Sequence, residues 1–335
     1  MKQIPHSHYH WNRGVGRFFE GWYYRVTLPE IHQSFAFMYA IDDPQGHTPH
    51  SGGSVQVLGI DDKQIWRTFP NTKDFHADRD RLYLEHWNRR GEGYSASDRH
   101  NKGRIRDPST GEFCDWNYQM VSVDGWGTPK RPIATMGFYS YLPVFEPGWQ
   151  ILMARGMATG AIAWQGKTYE FANAPAYIEK NWGRSFPKKW FWSQCNAFPN
   201  HEDLSITVAG GIREHFGIAT QVAMVGIHYQ GKFYNFMPEN SEIHCKIQPW
   251  GDWQIEAYSK NQQVEIIAKT EDLGTWIMVP SATGLKYLCR DTTKGSLQVT
   301  LKSQGQTIKA TSQIAALEVG GEPWSEPWEF KSAKL

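Results

Sequence analysis

The chain has 335 residues, with 35 basic and 34 acidic side chains and a formal net charge of +1. Because so balanced a charge creates no long-range field that attracts a polyanion, nucleic acid is excluded as an expected partner. The length exceeds the usual size of one hydrophobic core and favours two domains or one large β-domain. The 16 Trp, 15 Tyr, 17 Phe and 31 Gly favour strands and tight turns over helices.

The N-terminal residues have no apolar stretch behind Lys2, and no segment approaches the ~20 apolar residues of a membrane span. We therefore expect neither a signal peptide nor a transmembrane segment, so that any membrane contact is peripheral. The four cysteines are scattered, without Cys-x-x-Cys spacing. This spacing argues against a structural zinc site or a disulfide scaffold and favours a reducing compartment.

Apolar and polar residues alternate through much of the chain, and each alternating run ends in turn residues, a pattern typical of half-buried antiparallel strands. Two pairs of runs predict hairpins: 54–60 with 64–66, and 225–229 with 233–236 across Gln230-Gly231. Further predicted strands are 161–164, 204–208, 253–258, 264–267 and 297–301. Many short strands and no capped amphipathic helix predict an all-β protein, built as a barrel or sandwich, of which the chain could hold two.

A short internal echo favours two units, because 20–25 (EGWYYR) resembles 179–184 (EKNWGR) and each precedes an aromatic-rich run. We therefore predict an N-terminal β-domain over 1–172 and a C-terminal β-domain over 173–335.

The echo segments also carry acidic residues among aromatic ones. In an extended strand Glu20, Trp22 and Tyr24 share one face, and Trp190 shares a face with Trp192. The aromatic rings alone are compatible with an ordinary core. A carboxyl group in an apolar interior must be either paired or neutral. Glu20 and Glu179 are therefore each half of an ion pair, with Arg25 or Lys180 nearby, or a proton donor with a raised pKa.

No familiar cofactor motif is present. The sequence has no strand followed by Gly-x-Gly-x-x-Gly, no P-loop, no Gly-x-Ser-x-Gly and no His-Glu-x-x-His. His6, His8 and His10 alternate and could reach a metal together. Histidines at a terminus are more often surface residues, and no second set of polar residues supports a metal here. We expect neither a cofactor nor a metal.

Several segments resemble the tocopherol cyclases of plants and cyanobacteria: 17–24, 33–39, 143–147, 316–321 and above all 177–196 (YIEKNWGRSFPKKWFWSQCN). The last of these also resembles, more distantly, the carotenoid 1,2-hydratases and their lipocalin-like relatives. That likeness implies two consecutive lipocalin-like antiparallel β-barrels or sandwiches. The hydratases carry a catalytic His and Trp in this motif, at the positions of Lys180 and Trp182. Because a lysine replaces the histidine, its role is expected to be holding Glu179 or a substrate oxygen.

The family resemblance implies a cofactor-independent ring closure, in which the phenol oxygen of a methylated phytyl benzoquinol adds to the prenyl double bond. Such a reaction needs an acid, a stabiliser for a tertiary cation and a pocket that folds the prenyl tail onto the ring. The implied catalytic residues are Glu179, Glu20, Lys180 and Trp182. The expected substrate contacts are Trp22, Tyr24, Tyr177, Asn181, Trp190 and Trp192. A prenylated hydroquinone is the expected partner, no obligate protein partner is evident, and the expected location is the cytoplasm or the surface of thylakoid-type membranes.

Three other functions fit an aromatic-rich β-protein. A carrier would bind a prenyl quinol or another apolar lipid and return it unchanged. A carbohydrate-binding sandwich would need a solvent-facing row of aromatic rings. A hydratase would incorporate oxygen from water into its product.

Overall fold

The computed structural model of the protein describes residues 4–14, 16–46, 48–142, 146–215 and 218–333. The chain forms two compact units. The first comprises Met1–Phe186 and Val279–Lys286, and the second comprises Pro187–Met278 and Tyr287–Leu335. The predicted boundary between 172 and 173 falls inside the strand Lys167–Gly183, whereas the units divide at Phe186. Of the family-like segments, 143–145 lies outside the described residues.

The all-β class predicted from the alternating runs is confirmed, and the described ranges contain no α-helix. The first thirteen strands are β1 (Phe19–Leu28), β2 (Gln33–Asp42), β3 (Gly52–Leu58), β4 (Gln64–Phe69), β5 (Phe75–Ala77), β6 (Tyr83–Trp87), β7 (Gly93–Ser97), β8 (His100–Arg106), β9 (Phe113–Asp124), β10 (Gly127–Thr128), β11 (Arg131–Pro132), β12 (Gly148–Trp164) and β13 (Lys167–Gly183). Short 3-10 helices lie at Pro29–Ile31, Ile60–Asp62, Thr72–Asp74 and Gly137–Tyr141.

The remaining strands are β14 (Lys189–Cys195), β15 (Ser205–His215), β16 (Ile218–Tyr229), β17 (Lys232–Phe236), β18 (Glu242–Ile247), β19 (Asp252–Ser259), β20 (Gln262–Lys269), β21 (Thr275–Ser281), β22 (Gly284–Ser303), β23 (Gln306–Gly321) and β24 (Trp328–Lys331). No helix among the described residues is long and apolar enough to cross a membrane.

The first sheet has eleven antiparallel strands in the order β4-β3-β2-β1-β13-β12-β9-β8-β7-β6-β5. It curls until β4 lies beside the end of β8, where Arg67 Nη1 donates a 3.3 Å hydrogen bond to the carbonyl oxygen of Arg106. Alternation sets the two faces of each strand. In β8 the side chains of Asn101 and Ile105 are buried, while those of Lys102 and Arg104 are exposed.

A buried amide of the first sheet has three aromatic hydrogen-bond partners. Asn101 is completely buried, and its Oδ1 accepts hydrogen bonds from Tyr39 Oη at 2.7 Å and Trp116 Nε1 at 2.8 Å. Its Nδ2 donates to Tyr118 Oη at 2.8 Å. Because one amide on β8 bonds to a ring on β2 and to two rings on β9, it fixes how these interior aromatic residues pack.

The second sheet runs β17-β16-β15-β14-β23-β22-β20-β19-β18-β24, and β21 also pairs with β22. Both predicted hairpins are confirmed, as β3 with β4 and β16 with β17. In the second hairpin Gln230 and Gly231 have φ values of 49° and 71°, the left-handed pair that a tight two-residue turn requires. The second unit has its own core, which includes Phe191, Trp253 and Leu317.

We predict that Asn101→Ala destabilises the first unit by about 3 kcal/mol, because three buried aromatic polar groups lose a common partner. Urea unfolding followed by tryptophan fluorescence measures this loss. Asn117→Ala, which removes an exposed amide from the adjacent strand, is the matched control and should change the free energy of unfolding by less than about 0.5 kcal/mol. Equal effects of the two substitutions would contradict this role for Asn101.

Candidate active site

The two echo segments lie next to each other in one sheet. Strands β1 and β13 pair antiparallel, with Glu20 opposite Trp182 and Trp22 opposite Lys180. The predicted sharing of a face by Glu20, Trp22 and Tyr24 is confirmed, since all three are buried on the inner side of the first sheet. The echo therefore marks two neighbouring strands of the first unit.

Lys180 is the centre of a buried polar cluster on this inner face. Lys180 and Glu20 are both 0% exposed, and the Lys180 ammonium forms an ion pair with Glu20 Oε1. Lys180 Nζ also donates to the carbonyl oxygen of His8 at 2.6 Å and lies 3.2 Å from His10 Nδ1. The backbone N–H of His10 donates to Glu20 Oε2 at 2.8 Å. The ammonium thus has two oxygen acceptors, Glu20 Oε1 and the His8 carbonyl, and a third acceptor in His10 Nδ1 when the proton of that ring is on Nε2.

This cluster decides between the two predicted states of Glu20. Burial raises the pKa of Glu20, but the Lys180 charge and the hydrogen bond to His10 outweigh burial and lower it overall. Glu20 is therefore ionised at neutral pH, as one half of the ion-pair alternative. The structure thus favours the ion-pair alternative for Glu20 over the proton-donor alternative, because the Lys180 charge stabilises the carboxylate.

The indole of Trp182 packs against the N-terminal segment and against β12. The His10 ring stacks on it with a centroid distance of 3.9 Å and an interplanar angle of 3°. Gly148, its cross-strand neighbour, lies on it so closely that a Cβ there would be 2.1 Å from Trp182 Cε2. The Lys180 ammonium lies 5.2 Å from the Trp182 ring centroid and 5.7 Å from that of Trp22. A lysine ammonium thus lies near the rings of two implied site residues, Trp22 and Trp182, at cation–π distance.

The N-terminal segment, defined as residues 4–14, is packed onto the first sheet. The expectation that its histidines are surface residues is wrong, because Tyr9 anchors the segment. The Tyr9 side chain is 8% exposed, its ring centroid lies 6.2 Å from that of Trp22 and 5.7 Å from that of Phe75, and its N–H donates to the carbonyl oxygen of Asp78 at 2.9 Å. Tyr9, the aromatic residue between His8 and His10, was the sequence signal for burial.

Burial changes the protonation of these histidines. It is the largest cause that lowers the pKa of His6 and of His10 to about 4 each, and nearby charges contribute. The pKa of His8 is also lowered by burial and by Lys180. All three side chains are therefore neutral at pH 7. Within the part of the chain that the structure describes, no group of three or more His, Cys, Asp or Glu side chains is arranged to hold a metal ion.

Glu179 lies on the opposite face of β13 from Lys180. Its Oε2 accepts hydrogen bonds from Tyr177 Oη at 2.6 Å and from Trp149 Nε1 at 3.0 Å. Asn181 lies on the same face, paired in register with Trp149. The structure thus brings Glu179, Tyr177 and Asn181 together. The expectation that Lys180 holds Glu179 is not met, because successive side chains of a strand point to opposite faces and Lys180 binds Glu20 instead.

Trp190 and Trp192 belong to the second unit, on β14. Trp190 Nε1 donates a hydrogen bond to Oε1 of Glu318 on β23, the neighbouring strand. Glu318 is not among the site residues expected from the sequence. Its signal was available, because it is the acidic residue of the family-like segment 316–321.

Tyr24 lies on the same face of β1 as Glu20. It is completely buried, and its ring meets that of Tyr39 edge to face with centroids 5.6 Å apart. Among the described residues the Tyr24 hydroxyl has no hydrogen-bond partner. Burial raises the pKa of Tyr24 well above its usual value.

A cleft of about 370 Å³ opens in the first unit between the N-terminal segment and the region around β5. It is lined by Tyr9, Trp11, Arg13, Pro44, Thr72, Phe75, His76, Ala77, Asp78 and Arg79. Tyr9 lines this cleft, and its ring also contacts that of Trp22.

We predict that the N-terminal segment loosens as the pH falls from about 6.5 to 4. The released segment binds protons on its histidines near pH 6.5, whereas the docked His6 and His10 resist protonation until about pH 4. Protonation of Glu20 at still lower pH removes its ion pair with Lys180 as well. Hydrogen exchange, corrected for intrinsic rates, should show protection of the Tyr9 and His10 amides falling roughly tenfold or more over this range.

The amides of β3 serve as the internal control, and their protection should not follow this titration. The double substitution His6→Gln and His10→Gln should flatten the pH dependence at Tyr9. Protection at Tyr9 that does not change with pH in the parent protein would contradict a docking equilibrium linked to these histidines.

Comparisons with known proteins agree with this chain's sequence motifs. The family model described as Tocopherol cyclase-like matches residues 16–321. The chain is 36% identical to "Probable tocopherol cyclase, chloroplastic" of Oryza sativa subsp. japonica and 37% identical to "Tocopherol cyclase, chloroplastic" of Zea mays. Each alignment covers 98% of this chain and 80% of the relative.

Among solved structures, a crystal structure of CghA matches with a TM-score of 0.58 and 9% identity, covering 92% of this chain and 90% of that chain. At that identity the likeness concerns the fold alone. The match of the family model over most of the chain, together with the two plant relatives, confirms the resemblance predicted from residues 177–196. The chain belongs to the tocopherol cyclase-like family.

Proposed function

We propose that this chain catalyses the cofactor-independent ring closure of a methylated phytyl benzoquinol to a chromanol. The observation that carries the proposal is identity of 36–37% to plant tocopherol cyclases along 98% of the chain. At the level of the family and its relatives, the cyclase prediction is confirmed, and the enzyme interpretation is favoured over a carrier or a carbohydrate-binding module.

The reaction leaves the overall oxidation state unchanged. A proton adds to the prenyl double bond, a tertiary cation develops, and the phenol oxygen forms the new C–O bond as its own proton leaves. Neutral acids, aromatic faces and a pocket that folds the substrate can supply each of these steps. The substrate and product contain the same atoms, so the reaction is of the intramolecular lyase or isomerase type.

We propose that Glu20, Lys180 and Trp182 act as positioning residues. Their support is the contacts of the cluster: Lys180 joins Glu20 to the backbone of the N-terminal segment, and Trp182 stacks on His10. Trp22 and Tyr24 lie on the same inner face. There Trp22 packs against Tyr9, and Tyr24 packs against the interior ring of Tyr39. These residues keep the N-terminal segment in place on the first sheet.

We propose the other predicted site residues as substrate contacts. Glu179 accepts hydrogen bonds from Tyr177 and Trp149. Donors of this kind stabilise a carboxylate more than a neutral acid. Glu179 is therefore better suited to accept hydrogen bonds than to protonate an alkene. Trp190 and Trp192 offer large aromatic faces on one side of β14.

We propose a peripheral membrane location, since a phytyl quinol dissolves in lipid and both plant relatives are described as chloroplastic. Exposed apolar side chains on the protein surface support this location. Leu273 is 81% exposed and Trp276 49% exposed in the second unit, and Phe138 is 70% exposed in the first. Aromatic side chains of this kind favour the interface between lipid and water.

The direct test of the proposed reaction uses purified protein and a methylated phytyl benzoquinol in detergent, with EDTA and no added cofactor. We expect a chromanol product. In D2O the product should carry one deuterium on the ring carbon next to the new ether carbon, because the alkene is protonated there. The product should contain no oxygen from ¹⁸O-labelled water.

Recovery of the unchanged quinol bound to the protein would support a carrier and contradict the proposal. Incorporation of ¹⁸O would indicate a hydratase instead.

Membrane contact has its own test, the cosedimentation of the protein with liposomes that contain anionic lipid. We predict that the double substitution Leu273→Ser and Trp276→Ser reduces the bound fraction severalfold, because it removes apolar surface that can enter the lipid. Val121→Ser, on an exposed side chain of the first unit, is the control for a general change in surface polarity. Equal binding of all three proteins would rule out this surface.

A further inference from the structure

Ring closure needs a carboxyl group, or another acid, that keeps its proton at neutral pH. Glu20 fails this requirement because the charge of Lys180 lowers its pKa, and Oε2 of Glu179 already accepts hydrogen bonds from Tyr177 and Trp149. The family-like segment at the end of the chain contributes a third carboxyl group, Glu318. Its surroundings differ from those of both.

Glu318 lies in the middle of a row of three side chains that cross neighbouring strands. In register it faces Trp192 on β14 and Asp291 on β22. The residues on either side of it in the chain, Leu317 and Val319, belong to the core of the second unit. Alternation therefore places the Glu318 side chain on the face away from that core. Its side chain is half-buried, and among the described residues no cation forms an ion pair with it.

A glycine allows the contact that orients this carboxyl group. Gly320 faces Trp190 in register, and a Cβ at Gly320 would lie 2.0 Å from Trp190 Cζ2. Without a side chain at this position, the indole lies flat against β23 and its Nε1 reaches Glu318 Oε1. The indole hydrogen bond occupies one carboxyl oxygen. It leaves the other oxygen to carry a proton.

The local electrostatics favour a proton on Glu318. Burial raises the pKa of Glu318, and this effect exceeds the lowering by hydrogen bonds from Trp190 and Cys289. The groups of β22 that face it are Cys289, whose thiol pKa burial raises well above its usual value, and Asp291, which is completely buried. A second carboxyl group directly across the strand further disfavours two negative charges at this position.

We propose that Glu318 is the acid that protonates the prenyl double bond, and that Trp190 and Trp192 present aromatic faces to the cation that develops. The inference rests on the proposed cyclase function and names its proton donor. The O–H bond of Glu318 breaks as a C–H bond forms on the less substituted alkene carbon. The phenol oxygen then supplies the electron pair of the new C–O bond, and the phenolic proton returns to the Glu318 carboxylate. The acid is regenerated and no electron acceptor is needed.

The test compares ring closure by the parent protein, Glu318→Gln, Glu318→Asp and the control Glu265→Gln, which changes an exposed carboxyl group of the same unit. We expect Glu318→Gln to lower kcat by about 100-fold or more, because the amide keeps the size but cannot donate an acidic proton. Glu318→Asp, which retains an acid, should recover part of the activity. Glu265→Gln should match the parent.

A pH profile separates an acid from a structural role. The active form is protonated, so kcat should fall as the pH rises through the pKa of Glu318. Trp190→Phe removes a hydrogen bond that favours the carboxylate, so it should move this alkaline limb to higher pH. A residue that only supports the fold would lower kcat without moving the limb.

The outcomes distinguish the inference from the function on which it rests. If the parent forms no chromanol, the proposed function fails. If the parent forms chromanol and Glu318→Gln is equally active, or if the alkaline limb stays in place in Trp190→Phe, the function stands and Glu318 is not the acid. Loss of activity in Glu179→Gln alone would instead assign the proton to Glu179. Circular dichroism of each variant checks that the sheets remain folded.

Discussion

The ion pair between Lys180 and Glu20 is the interaction on which the arrangement of the first unit depends. A lysine with no exposed surface persists only when its charge and its three N–H groups are all satisfied. Two of its acceptors come from the N-terminal segment, namely the His8 carbonyl and His10 Nδ1. The requirement to satisfy one buried cation therefore holds a terminal segment against the sheet, and with it His10 against Trp182. Removing either charge would leave the other buried without a counterion.

The same principle separates the three carboxyl groups of the family-like segments. A carboxyl group beside a buried lysine is ionised, as at Glu20. A carboxyl group that accepts hydrogen bonds from a phenol and an indole serves as a hydrogen-bond acceptor, as at Glu179. One that is half-buried, faces another carboxyl group and has no ion-pair partner among the described residues has a raised pKa, as at Glu318. The residue type is identical in all three places, so the surroundings alone set the chemistry.

Short-range sequence patterns correctly predicted the strands and turns that depend only on neighbouring residues. Alternating runs and the Gln230-Gly231 turn correctly placed two hairpins, since hairpin pairing needs only short-range signals. Short-range signals could not predict the pairing of β1 with β13, because about 150 residues separate the two strands. The periodicity of a strand does not indicate which distant strand it pairs with. The echo of their sequences therefore suggested two domain starts, although the strands are neighbours in one sheet.

The candidate site was predicted in part, for a similar reason. Alternation correctly put Glu20 on the face of Trp22, but it could not reveal that Lys180 on another strand would ionise Glu20. The burial of His10 and the environment of Glu318 depend on contacts between distant segments. Gly148 and Gly320 illustrate the same limit: each is required by a cross-strand tryptophan ring that the sequence does not place beside it.

The central claim is that Glu318 holds a proton at neutral pH while Glu20 does not. Infrared difference spectroscopy at pH 7 tests it directly, because a protonated carboxyl group has a carbonyl stretch that a carboxylate lacks. If Glu318 is protonated, its band is present in the parent protein and in Glu20→Gln and is absent in Glu318→Gln. A spectrum in which Glu318→Gln removes only carboxylate bands would contradict it.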